Sequence, residues 1–244
     1  SVNLNDAQTG KRHMISWRPP GDGLEMPGGL PDILSCSGDI IYLRELTFDR
    51  KTLLPREPGG RHLFASDGFV SDSWWHRAYW IYGTEFRSGA PGWYLSGRKF
   101  PAGKILAMDA DTVYGYGMKP DNYRWTTALS YQLFAAPRDA GSAPIIDRRG
   151  IRRPGALPAT KFARTWDRDL PIHARAMVVT NDALFVAGAP VLMDEQKVYS
   201  QLRAGGEAPP QLLAAEAAFM GQKGGTLIAV KPSDGTTFRE IPLP

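Results

Sequence analysis

The chain has 244 residues, and its 26 glycines and 20 prolines favour many short strands joined by turns over a few long helices. The formal net charge of +4 is modest, and the basic run at 148–153 has no base-stacking motif beside it, so we expect no nucleic-acid partner. The single cysteine, Cys36, excludes an intrachain disulfide, and its apolar neighbours predict a buried side chain. No apolar run of about 18 residues is present, which predicts no membrane-spanning helix.

Three stretches, at 33–43, 105–115 and 176–186, share one pattern of apolar strand, polar turn and second strand. Their turn acids and aromatic rings recur roughly every 72 residues as Asp39 and Tyr42, Asp111 and Tyr114, Asp182 and Phe185. Each copy predicts a β-hairpin. The nearly continuous apolar runs are typical of strands buried on both faces, so the hairpins are expected to stack on one another.

A second strand–turn–strand piece accompanies the hairpins, most clearly around Asp234-Gly235 and around Asp6 to Lys11. Two hairpins side by side form a four-stranded antiparallel sheet, the blade of a β-propeller. The sequence therefore predicts an all-β fold, a partial β-propeller of about three blades plus a half blade, with long aromatic-rich insertions. The predicted segments of this single 1–244 unit are a half blade at 1–17, blades at 30–69, 105–140 and 174–243, and insertions at 70–104 and 141–173.

Short helices interrupt this pattern near the end of the chain. Good helix formers predict a helix over 209–220, stopped by Gly221, and the residues at 194–202 favour a second one. We expect Leu212, Leu213, Ala217 and either Phe219 or Met220 to face inward, so that the helix packs on the outside of the last blade.

Several motifs resemble those of bacterial PQQ-like repeat proteins, which are quinoprotein-type β-propellers common in Planctomycetes-like genomes. The turn from Asp6 to Lys11 resembles the outer-strand turn of their blades, and the stretches at 69–83, 92–98 and 113–125 resemble further family segments. The resemblance covers nearly the whole chain. In catalytic relatives it implies pyrroloquinoline quinone and calcium in a central channel, beside a Trp, a catalytic Asp and in some cases a vicinal disulfide. Cys36 alone cannot form that disulfide, and the calcium and catalytic positions do not align, so we predict no cofactor and keep PQQ with calcium as an alternative.

A closed propeller needs about four blades or more, which is more than this chain supplies. We therefore expect the remaining blades elsewhere in the same gene product, in a partner chain, or in a second copy that closes the ring. We also expect an export signal outside this chain and a periplasmic or extracellular location.

Loops on a rigid scaffold concentrate binding residues, and the insertion after residue 69 is dense in aromatic rings. Those rings are interpreted either as a small core beneath a long loop or as a recognition surface for a ligand such as a glycan. The candidate ligand-binding residues are Trp74, Trp75, His76, Arg77, Tyr79, Trp80, Trp93, Arg98, Arg124 and Trp125. No two histidines have metal-ligand spacing, and Asp109 and Asp111 are interpreted as turn residues rather than as acid–base groups.

Three functions remain open at this point. The favoured one is an exported, non-catalytic binding or scaffold propeller, because no compact catalytic motif is present. The alternatives are a PQQ-dependent oxidoreductase and a polysaccharide-binding or polysaccharide-processing accessory protein. The catalytic residues stay unknown, and no metal site is predicted.

Overall fold

The computed structural model describes residues 10, 14–16, 25–27, 33–44, 46–57, 59–65, 80–84, 99–119, 131–144 and 160–244. Its contacts divide the chain into two compact units, where the sequence predicted one continuous segment. The first unit comprises Ser1–Gly103 with Gly141–Phe162, and the second comprises Lys104–Ala140 with Ala163–Pro244.

Antiparallel strands dominate both units, so the all-β prediction is confirmed. In chain order the strands of the first half are β1 (Met14–Ser16), β2 (Glu25–Pro27), β3 (Ser35–Ser37), β4 (Ile40–Leu43), β5 (Leu46–Asp49), β6 (Pro55–Arg56), β7 (His62–Ala65), β8 (Trp80–Gly83) and β9 (Ala102–Gly103). They are followed by β10 (Ile105–Met108), β11 (Thr112–Met118), β12 (Tyr131–Pro137), β13 (Ser142–Pro144), β14 (Thr160–Phe162), β15 (Trp166–Arg168), β16 (Ile172–Val179), β17 (Leu184–Pro190), β18 (Gly225–Val230) and β19 (Thr237–Leu243). The helices α1 (Glu195–Arg203) and α2 (Gln211–Phe219) confirm the two predicted short helices.

The first unit holds a four-stranded sheet in the order β3-β4-β5-β6, a three-stranded sheet in the order β7-β8-β9, and the ribbons β1-β2 and β13-β14. The sequence grouped 30–69 into one blade and treated 70–104 as an insertion. In the structure β7 instead pairs with β8, where Phe64 lies opposite Ile81, and β9 extends that sheet. The short strand β6 takes the fourth place beside β5, so β7 begins a new sheet.

The second unit holds two four-stranded antiparallel sheets, β10-β11-β12-β15 and β16-β17-β18-β19. Each begins with one of the predicted Asp-turn hairpins. The fourth strand of the first sheet, Trp166–Arg168, lies inside the stretch that the sequence treated as the insertion 141–173. Both helices lie in the connection between β17 and β18.

The two sheets of the second unit pack against each other through one apolar core. Tyr114, Tyr116 and Leu133 of the first sheet meet buried side chains such as Leu184 and Ile228 of the second. The other face of the first sheet is buried as well, with Val113, Phe134 and Ala136 all at 0% exposure. This sheet is therefore shielded on both faces, as its continuous apolar strands predicted.

Close packing on that second face depends on a glycine. A Cβ atom at Gly115 would lie 2.3 Å from Cζ of Phe134, the residue opposite it on β12. The ring of Phe134 thus fills the space that the missing side chain leaves.

Two burial predictions are wrong. Cys36 is exposed because it lies on β3, the edge strand of its sheet. On α2, Leu213 is 76% exposed, and neither alternative at the end of the helix is buried, since Phe219 is 47% and Met220 is 69% exposed; Ala218 is instead fully buried where the helix packs on β17. The helix is apolar on most of its surface, so its sequence did not define which side faces the sheet.

Candidate functional site

Of the ten candidate ligand-binding residues, only Trp80 lies among those that the structure describes. It begins β8, pairs with Ala65 and Gly103, and is half-buried. The others lie outside the described residues and remain predictions: Trp74, Trp75, His76, Arg77, Tyr79, Trp93, Arg98, Arg124 and Trp125.

Charged side chains from separate parts of the second unit gather at one end of its two sheets. We call this group of Lys104, Lys119, Asp169, His173 and Glu195 the polar edge. Lys104 precedes β10, Lys119 follows the end of β11, Asp169 precedes β16, His173 lies in β16, and Glu195 begins α1. The strand order brings them together although they are far apart in the sequence.

Lys104 contributes a half-buried ammonium group to the polar edge. Its Nζ lies 4.0 Å from the centroid of the Tyr131 ring, close enough for a cation–π interaction. Burial lowers the pKa of Lys104, the Glu195 carboxylate opposes that shift, and the Arg175 guanidinium adds to it. Within the part of the chain that the structure describes, Lys104 makes no ion pair.

His173 and Glu195 form the centre of the polar edge. His173 Nε2 lies 3.4 Å from Glu195 Oε1, and the two side chains are 22% and 32% exposed. Burial lowers the pKa of His173, Glu195 opposes this, and Lys104 and Arg175 reinforce it. Asp194 fixes the start of α1, and hence Glu195, because its carboxylate accepts a hydrogen bond of 3.0 Å from the Lys197 N–H.

Two further contacts hold the polar edge together. The Tyr116 hydroxyl donates a hydrogen bond of 3.2 Å to the Ile172 carbonyl and so ties β11 to β16, and burial raises the pKa of Tyr116 to about 12. Lys119 Nζ lies 2.6 Å from Asp169, which fixes the loop before β16. Both described acids of the edge thus have basic partners, while the Lys104 ammonium has only an aromatic ring.

His62, in the first unit, serves the fold rather than a site. Its Nε2 lies 2.7 Å from the Arg44 carbonyl oxygen and its Nδ1 lies 3.1 Å from the Gly60 carbonyl oxygen. The Tyr42 ring stacks on the imidazole at 4.0 Å. Because the backbone engages both ring nitrogens of this buried residue, His62 links two loops of its unit.

A second surface of interest is the side of the last sheet that faces away from the core of the second unit. We call Val178, Phe185, Leu227, Ile241 and Leu243 the outer face. Val178 is 60% exposed, and Ile241 and Leu243 are each 39% exposed. Strand pairing places Val178 opposite Phe185, in a row that ends at the charged Arg239, and Leu227 opposite Ile241, in a row that is apolar across all four strands.

The structure and the comparisons add three brief findings. Across the described ranges, no group of three or more His, Cys, Asp or Glu side chains is placed to hold a metal ion. Neither described helix is long and apolar enough to cross a membrane. Comparison with family models, curated proteins and solved structures finds no match.

The sequence did not single out Lys104, His173 or Glu195, because no local motif joins them. One signal was present: Lys104 and Arg175 each lie seven positions before the turn acids Asp111 and Asp182 of the repeat. Equivalent positions in stacked sheets lie near each other, so a basic residue repeated at this spacing indicates a local concentration of positive charge.

Proposed function

We propose that this protein is a non-catalytic binding scaffold of the β-propeller type, similar to PQQ-like repeat proteins, with its ligand site at the polar edge. The observation that carries the proposal is the position of the predicted ligand residues in the chain. In the sequence, the segment that contains Arg124 and Trp125 is flanked by Lys119 and Tyr131. Lys119 belongs to the polar edge, and Tyr131 contacts Lys104 there, so both residues that flank this segment lie at the edge.

The stacking of the second unit supports the propeller part of the proposal. Tyr114 and Phe185 occupy equivalent repeat positions. Tyr114 points from the first sheet into the core between the sheets. Phe185 points away from that core, because Leu184 and Val186 on either side of it point into it. The repeated ring of the first sheet thus faces the second sheet, and the repeated ring of the second sheet faces away from the first. Successive blades of a propeller share such an orientation.

The contacts within the polar edge suit a binding surface. Glu195 is engaged with His173, and Asp169 is engaged with Lys119. Because these groups hold one another in place, they provide a preformed recognition surface.

The test is a binding experiment with defined probes. We expect the purified chain to retain members of an array of neutral and acidic oligosaccharides, and we expect Trp125→Ala to abolish that retention because it removes a stacking ring. Phe238→Ala, which removes a ring that is 52% exposed on β19, is the matched control and should bind normally. Melting temperatures show whether each variant is folded.

Two outcomes would contradict the proposal. If the folded Trp125→Ala variant retained the oligosaccharides equally well, the aromatic segment would not be part of the site. Calcium-dependent dye reduction after addition of pyrroloquinoline quinone would show that the protein is a quinoprotein oxidoreductase and not a non-catalytic scaffold.

A further inference from the structure

We propose that the polar edge binds a small anion, a carboxylate or a phosphate group, on the ammonium of Lys104. The inference names the ligand chemistry of the site in the proposed function and rests on its binding role.

The Lys104 ammonium occupies a position that suits an anionic ligand. It is partly removed from water and lies 4.0 Å above the Tyr131 ring. An aromatic face compensates a desolvated cation only in part, and a charge-assisted bond to an oxyanion compensates it better. An anionic ligand would therefore supply the partner that the described fold does not provide.

Positive charge exceeds negative charge around Lys104. Glu195 lies against His173 at 3.4 Å, and Asp169 lies against Lys119 at 2.6 Å. The Arg175 guanidinium, close enough to disfavour the charged form of Lys104, is held over the Phe219 ring. Among these groups Asp169 is matched by Lys119, and the single Glu195 carboxylate faces the two cations Lys104 and Arg175, so the net charge is positive. This arrangement attracts an anion and repels a cation.

A ligand at this place can contact charged groups but not the face of the Tyr131 ring. The Tyr131 ring is stacked on Tyr116 at 5.5 Å and is covered by Lys104, so it offers no free face for stacking. Recognition at this point therefore depends on charge. The partial exposure of His173 and Glu195, at 22% and 32% of their side chains, leaves an approach for a small group.

Anion binding at this place should be coupled to proton uptake. Burial holds the pKa values of Lys104 and His173 below their ordinary ranges, and a bound anion raises both. A proton taken up by His173 also strengthens its ion pair with Glu195, which offsets the repulsion between Glu195 and the ligand. Tyr116, whose pKa is raised to about 12, stays neutral throughout. Affinity should therefore increase as the pH falls toward 6.

The experiment is calorimetric titration of the full chain with succinate in one arm and methyl phosphate in the other. Each arm is run in two buffers of different ionisation enthalpy, so that proton uptake is read from the difference in heat. We expect binding with proton uptake in at least one arm, and the stronger arm identifies the anion. Lys104→Met keeps the apolar stem over Tyr131 and should lower the affinity about ten- to hundredfold.

Controls separate this inference from a general charge effect and from misfolding. Lys231→Met, in the exposed turn at the opposite end of the last sheet, should leave the affinity unchanged. His173→Gln removes the group that takes up the proton, so it should lose the increase in affinity toward pH 6 and reduce the proton uptake, and it provides a second test if Lys104→Met does not fold. Equal affinity in folded Lys104→Met, or no heat of binding from either anion, would overturn the inference. The proposed scaffold function fails on a different result, the oligosaccharide retention of Trp125→Ala.

Discussion

At the scale of single residues, Lys104 combines a positive charge with a half-buried position above an aromatic ring. Burial lowers its pKa, so the unfolded chain binds the proton of this amine more tightly than the folded chain does. The stability cost is present at neutral pH and disappears as the pH rises through the ordinary lysine pKa of about 10.4. A charge kept at such a cost is typical of a functional position.

Lys104→Met should therefore raise the free energy of unfolding at pH 7 by up to about 1 kcal/mol, because it removes the buried charge and keeps the apolar contact. Urea denaturation at pH 7 and at pH 10.5 measures this, and the difference from wild type should shrink at the higher pH. Lys231→Met, at an exposed position, should change little at either pH. A destabilised variant at pH 7 would show that the ammonium contributes to folding.

Individual turn residues could be predicted from the sequence, but the polar edge could not. Asp109 accepts hydrogen bonds from the N–H groups of Asp111 and Thr112 and from the Tyr114 hydroxyl, as its interpretation as a turn residue required. Burial raises the pKa of Asp109, but these hydrogen bonds outweigh it and bring the pKa below the ordinary value. Such bonds are local in sequence, whereas only the tertiary structure brings Glu195 close enough to Lys104 to influence its charge.

At the scale of elements, the second unit is held together where one sheet contacts a turn of the next. Trp166 of β15 donates its indole N–H to the Pro232 carbonyl at 2.8 Å, and Arg168 Nε donates to the Asp234 carbonyl at 3.0 Å. Gly235 lies under the indole with φ of +70°, and a Cβ atom there would lie 2.6 Å from Trp166 Cε3. A side chain at this position would meet both an unfavourable backbone conformation and a steric clash.

Gly235→Ala should accordingly destabilise the chain by about 2–4 kcal/mol, the sum of a left-handed conformation and an overpacked contact. Gly205→Ala is the matched control, since Gly205 also has a positive φ of +82° but no atom within 4 Å of its Cβ position. Gly205→Ala should lower the free energy of unfolding by about 1 kcal/mol. Urea denaturation measures the free energy of unfolding of both variants. An equal decrease in the two would show that the contact with Trp166 contributes nothing to the effect of Gly235→Ala.

Hairpins were the most predictable elements, because both strands and the turn lie within one short stretch of sequence. The turns at Asp39, Asp111 and Asp182 each connect an observed strand pair. The strand Trp166–Arg168 was not predicted, because it has only three residues and owes its conformation to β12 and to the turn beyond β18. Long-range contacts of this kind leave no periodic pattern in the sequence.

At the scale of the whole molecule, the two sheets of the second unit differ in one respect. The first sheet is buried on both sides, whereas the outer face of the last sheet presents Val178, Ile241 and Leu243 to solvent. Exposed apolar patches of this kind mark surfaces that associate with another protein. The proposed propeller assigns this role to a further sheet, which a second copy of the chain can supply.

The isolated chain should therefore self-associate through the outer face as its concentration rises, which sedimentation velocity measures. The double variant Val178→Lys, Ile241→Lys places two charges among the apolar rows and should remain monomeric, because burying unpaired charges is unfavourable. Leu213→Lys is the matched control: Leu213 is 76% exposed on α2, outside the outer face, so its replacement should not alter association. A wild-type chain that stays monomeric at every concentration, or a double variant that associates equally well, would contradict a second copy on this surface.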